Sequence, residues 1–114
     1  MLRLEAVGWA ISVTGMAALL SGPAAAQADS AAPKKVEVCA TCHGLDGMSK
    51  LPEAPNLAGQ NEIYLIAQLT AFKNGTRNNE MMNVVIKELS DDDIAALAHY
   101  YSSIEIKVGK IPGQ

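Results

Sequence analysis

The chain has 114 residues, enough for one small domain. Hydrophobic residues make up 49% and charged residues 18%, which excludes a disordered or collagen-like polymer. Nine basic against twelve acidic side chains give a net charge of −3, unlike a nucleic-acid binder, and two cysteines exclude a multi-disulfide scaffold.

Residues 1–28 differ from the rest. Arg3 opens a weak positive region, partly offset by Glu5, and an apolar stretch runs from about Val7 to Leu20. Ser21, Gly22 and Pro23 break it, and Ala24-Ala25-Ala26 and Ala26-Gln27-Ala28 offer overlapping small-x-small cleavage sites. This is the order of a secretory signal peptide. The apolar run is short of the roughly 20 residues a membrane-spanning helix needs. Cleavage is expected after Ala28 in preference to Ala26, leaving 29–114 as a single domain. The only tryptophan, Trp9, leaves with the leader. The remaining aromatics are Phe72, Tyr64, Tyr100 and Tyr101, thin material for a core. Domains of this size often need a disulfide, metal or cofactor to supply the missing stability.

Asp29 to Pro33 reads as a frayed terminus. A short helix from Lys35 to about Cys39 leads into Cys39-Ala40-Thr41-Cys42-His43. Gly44 to Gln60, with Gly47, Pro52, Pro55 and Gly59, reads as an ordered loop. Asn61 caps a helix running to about Lys73, with Leu65, Leu69 and Phe72 on one face; Asn74-Gly75 stops it. A shorter helical run covers about Met81 to Glu88. Ser90-Asp91-Asp92-Asp93 starts a last helix, which runs to about Ile104 with the stripe Ile94, Leu97, Ala98, Tyr101 and Ile104. No alternating strand pattern is visible, so the fold class is all-α, with three to five short helices.

Cys39 and Cys42 followed at once by His43 is the attachment signature of a c-type haem. Two thiols at this spacing reach the two vinyl groups along one porphyrin edge. The next residue then swings under the iron, where its imidazole is the proximal ligand. Gly44 lets the backbone leave the crowded ring edge. A structural zinc would want four ligands, and beyond this cluster only His99 is a typical one. A thioredoxin-like pair would sit in a βαβ pattern, and a bare disulfide leaves the adjacent histidine and the thin core unexplained.

A distal Met or His is sought among Met48, Met81, Met82 and His99. Met48 lies five residues after His43, a span of about 17 Å at most, with Gly47 inside it. His99 falls opposite the apolar stripe of its helix. Met82 shares a face with Val85, Ile86 and Leu89, whereas Met81 shares one with Val84 and Glu88. Met82 is preferred and Met81 is the alternative.

From about Val36 to Ile104 the chain resembles class I c-type cytochromes, above all the short soluble branch that includes the halves of periplasmic dihaem cytochromes. The matching residues are Cys39 through Gly44, Ala54 through Gln60, Tyr64-Leu65, Gln68-Leu69, Phe72 through Gly75, Arg77 through Met82, Leu89 through Asp91, and Ile94 through Tyr101. The resemblance implies a small helical fold wrapped around one covalently bound haem c with His/Met ligation, and again gives Met82. It implies that the Pro55 carbonyl accepts a hydrogen bond from His43 Nδ1, and it places Arg77 near the haem propionates.

The expected function is one-electron carriage in the periplasm of a bacterium, as a monomer, and not catalysis. Donors would be a dehydrogenase or quinol-oxidising complex, and acceptors an oxidase or reductase. Docking is expected at the haem edge near Ala40 and Thr41. The alternatives are a fixed haem subunit of a periplasmic dehydrogenase and, further off, an open-site haem peroxidase or gas sensor.

Overall fold

The structure, a computed structural model, describes residues 31–114. The expected leader and its expected cleavage sites lie outside the described residues. Helix α1 spans Val36–His43, α2 Glu62–Lys73, α3 Glu80–Val85 and α4 Asp91–Ser102, with a 3₁₀ turn at Ile86–Glu88. Among the described residues there is no strand.

Helix α1 continues through the Cys-x-x-Cys-His motif instead of stopping before it. The segment Val36–His43 contains no glycine or proline, so nothing breaks it until Gly44. Gly44 takes φ +79° and its N–H bonds the Ala40 carbonyl at 2.9 Å. With ψ 151° this is an extended conformation at positive φ that glycine adopts without strain, and it turns the chain out of the helix. At the other end Lys35 offers no cap; its Nζ reaches Asp93 at 3.4 Å and also the Glu88 carbonyl.

Helix α2 starts where the sequence places it, with Asn61 Oδ1 accepting the Tyr64 N–H at 3.0 Å. It buries Leu65 and Phe72, while Leu69 is half-buried. Helix α4 is closed by a reciprocal capping box. Ser90 Oγ accepts the Asp93 N–H at 3.1 Å, and Asp93 Oδ2 accepts the Ser90 N–H at 2.8 Å. It buries Ile94, Leu97, Ala98 and Tyr101 and packs chiefly on α2. It ends at Ser102, two residues short of Ile104, which lies half-buried beyond it. The run expected over Met81–Glu88 divides into α3 and the 3₁₀ turn, which buries Ile86. Leu89 follows it into the core.

Ser90→Ala removes the hydroxyl half of the capping box and is expected to cost about 1 kcal/mol. A thermal melt of the haem-loaded protein should fall by roughly 4–8 °C. Hydrogen bonds from the Ser90 backbone and then its hydroxyl hold the Asp93 carboxyl below its ordinary range, with Lys35 adding to them. A lowered folded pKa stabilises above the unfolded value and loses that contribution as pH falls through the folded one. The gap in melting temperature between wild type and Asp93→Asn should therefore be full at pH 7 and shrink below about pH 4.

Candidate cofactor site

Helix α1 sets Cys39 and Cys42 three positions apart, on one face. Both thiols are free. Cys39 is buried, and burial, followed by the neighbouring Cys42, pushes its thiol up to about 11. His43, at the last position of α1, is 7% exposed. Its Nδ1 lies 2.8 Å from the Pro55 carbonyl. A carbonyl only accepts, so Nδ1 carries the proton and Nε2 keeps the lone pair that can bind a metal.

The loop 44–60 brings Pro55 to that position. Gly47 takes φ +69° and its carbonyl accepts two N–H groups, from Leu57 at 2.8 Å and Ala58 at 3.1 Å. The Lys50 N–H returns to the Cys42 carbonyl at 2.8 Å, and Asn56 Oδ1 accepts the Ser49 N–H at 2.7 Å. Two tyrosines fasten the start of the loop to α4. Tyr101, buried, donates to the Gly44 carbonyl at 3.0 Å, and Tyr100 donates to the Leu45 carbonyl at 2.9 Å. Their rings meet edge to face with centroids 5.1 Å apart. Burial above all, with the nearby Cys39 next, keeps the Tyr101 phenol protonated far above the usual tyrosine range.

Cys39, Cys42, His43 and Pro55 line one cavity of about 780 Å³. Its volume lies within the roughly 300–1,000 Å³ usual for cofactor sites. Leu65, Leu69, Phe72, Val85 and Leu97 give it an apolar wall. Met82 and Met81 also reach it. Met82 is half-buried and packs against the core, whereas Met81 is 64% exposed. The other two sulfur or imidazole candidates stand elsewhere. Met48 does not line this cavity, and His99 is exposed with Nδ1 3.1 Å from Glu62 Oε2. Arg77 stands at the cavity wall, its guanidinium 4.5 Å from the Phe72 ring centroid and its Nη1 donating to Gln68 Oε1 at 2.6 Å.

Sequence reasoning missed three contributors: Gly47 as the pin of the loop, the Tyr101 hydroxyl, and the asparagines around α3. Asn79 Oδ1 accepts the N–H groups of Met81 at 3.1 Å and Met82 at 3.0 Å. An asparagine just before a helical run is a readable cap signal. The Tyr101 contact, 57 residues from its acceptor, left none.

The donor set fits one covalent haem c. Two thiols share one helix face, an imidazole beside them keeps Nε2 free, and soft thioethers face the same apolar cavity. It does not fit zinc. Among the described residues no group of three or more His, Cys, Asp or Glu side chains converges, short of the four ligands a structural zinc takes.

Comparison with known proteins points the same way. A cytochrome c4 of Pseudomonas aeruginosa is 44% identical over 99 residues, covering 87% of this chain and 46% of its own. Cytochrome c-554(548) of Halomonas halodenitrificans is 42% identical over 88 residues, covering 75% of this chain and all of its own. A solved cytochrome c4 of Acidithiobacillus ferrooxidans superposes with a TM-score of 0.54 at 45% identity, covering 57% of this chain and 37% of that one. The chain thus spans about half the length of the cytochrome c4 relatives it matches. The four helices have the class I cytochrome c arrangement. The cytochrome c family profile matches residues 30–105, and the chain belongs to that family.

Proposed function

We propose that the chain is a soluble one-electron carrier of the bacterial periplasm, with one haem c held by Cys39 and Cys42 and ligated by His43 and Met82. The observation that carries it is the cavity itself: a buried imidazole oriented by the Pro55 carbonyl and a half-buried thioether line the same apolar space. Bound haem c supplies one-electron Fe(III)/Fe(II) chemistry. The protein's contribution is positional. Thioether bonds from Cys39 and Cys42 fix the ring on α1. The hydrogen bond from Nδ1 to Pro55 sets the ring orientation of His43 and raises its basicity. A Met82 thioether, a weak donor, favours the reduced state, and the apolar wall disfavours the extra charge of the oxidised one. With His43 and Met82 both holding the iron, no exchangeable position would remain for a substrate, which supports electron carriage over peroxidase or sensor chemistry. Arg77 is assigned to the haem propionates because its cation stands at the cavity wall.

Partners on this reading are a donor dehydrogenase or quinol-oxidising complex and an acceptor oxidase or reductase. Export fits residues 1–28 as a cleaved leader, and no helix among the described residues is long and apolar enough to cross a membrane. The mass of the mature protein should place its first residue at Asp29.

The visible spectrum of the oxidised protein tests the ligand set. Wild type should show the weak far-red band that a methionine sulfur gives on ferric haem, and Met82→Ala should lose it. The midpoint potential should be positive and fall in the variant. Retention of the band in Met82→Ala would transfer the role to Met81; a wild type without it would revive the open-site reading.

A further inference from the structure

Helix α3 carries both candidate methionines on only six residues. A helix that short does not stand alone in water. Turning it by one position would exchange Met82 for Met81, since successive side chains differ by about 100° around the axis. Something must fix its rotation.

Asn83 has the contacts to do so. Its Oδ1 accepts the Asn79 N–H at 2.6 Å. Its Nδ2 donates to the Phe72 carbonyl at 2.8 Å and to the Arg77 carbonyl at 3.1 Å. One amide thus ties the start of α3 to the last turn of α2 and to the strand of backbone between them. The orientation is unambiguous, because the two carbonyls need the amide's N–H donors and the Asn79 N–H needs its oxygen. The Phe72 carbonyl sits in the last turn of α2, where its backbone bond from the Gly75 N–H is long, at 3.4 Å. Asn79, whose N–H Asn83 receives, in turn caps the N–H groups of Met81 and Met82. The two asparagines form a closed loop of bonds around the methionine pair.

The geometry points to Asn83 as a positioning residue that locks α3 so that Met82, and not Met81, faces the iron. This rests on the His43/Met82 reading above. Asn83 touches no cofactor; it acts by raising the free energy of local opening of α3.

The test uses the haem-loaded full chain and added imidazole, which competes with a methionine sulfur for ferric iron. The loss of the far-red band is followed against imidazole concentration in wild type, Asn83→Ala, Asn83→Asp and Ser90→Ala. Asn83→Asp keeps the acceptor for Asn79 and loses both donated bonds, so it decides the matter if Asn83→Ala does not accumulate. Both Asn83 variants should bind imidazole about tenfold more tightly than wild type, as expected for losing hydrogen bonds that resist opening. On heating, their far-red band should vanish before the far-ultraviolet helix signal. Ser90→Ala lowers overall stability without touching α3 and should bind imidazole as wild type does. If the Asn83 variants match wild type in both respects while Met82→Ala lacks the band, the positioning role is wrong and the ligand reading stands. A wild type with no far-red band overturns both.

Discussion

Gly47→Ala is expected to destabilise the haem-loaded protein by about 3 kcal/mol, several times the cost of an ordinary surface change. Two effects add. The residue sits at φ +69°, where a side chain costs roughly 1–2 kcal/mol. A Cβ there would also stand 2.5 Å from the Ala58 nitrogen and 2.8 Å from its Cα. That is backbone, which cannot swing aside as a side-chain tip can. Relief requires residues 57–58 to move, and they are held by the Gly47 carbonyl itself. The loop then loses its grip on Pro55, and His43 loses the acceptor at Nδ1. A less basic imidazole stabilises the oxidised state less, so the midpoint potential should rise as stability falls. Gly75→Ala is the control. It shares a positive φ of 79°, but nothing lies within 4 Å of the added methyl group. Its cost should be the conformational part alone, about 1–2 kcal/mol. Urea denaturation of the two variants side by side measures the difference.

Tyr101→Ala is expected to cost about 4 kcal/mol. The ring is among the largest fully buried side chains, in a domain whose buried aromatics are only Tyr101 and Phe72 among the described residues. Its loss leaves a void beside Cys39 and a buried Gly44 carbonyl without its hydroxyl partner. Tyr101→Phe separates the two contributions. It restores the packing and omits the hydroxyl, and should cost about 1–2 kcal/mol. Equal stability of Tyr101→Phe and wild type would show that the hydrogen bond contributes nothing net.

The elements governed by local rules were legible. Asn61 and Ser90 announce α2 and α4 because a cap acts within three residues, and the stripe Ile94, Leu97, Ala98 and Tyr101 is the buried face of α4. The expected end of α1 at about Cys39 falls four residues short, because the residues of the cysteine motif are compatible with helix up to Gly44. The break between α3 and the 3₁₀ turn has no sequence mark; Ile86 and Leu89 are buried there at the expense of regular helix. In the cofactor site the thiol-thiol-imidazole order was plain, and the preference for the half-buried Met82 over the exposed Met81 followed from helical spacing. What stayed hidden is the support. Gly47 pins a loop through carbonyl bonds ten and eleven residues on, and Asn83 reaches back to Phe72. Such bonds depend on where the chain returns in space, which local patterning does not encode.

The clasp from Tyr101 to Gly44 joins positions 57 apart in the chain, so it is among the contacts that must wait for a large loop to close. In the closed domain Cys39 is buried, and that burial keeps its thiol protonated above the ordinary range. The last helix is thereby fastened over the first residue after the cysteine–histidine segment, so the end of the domain clasps its beginning.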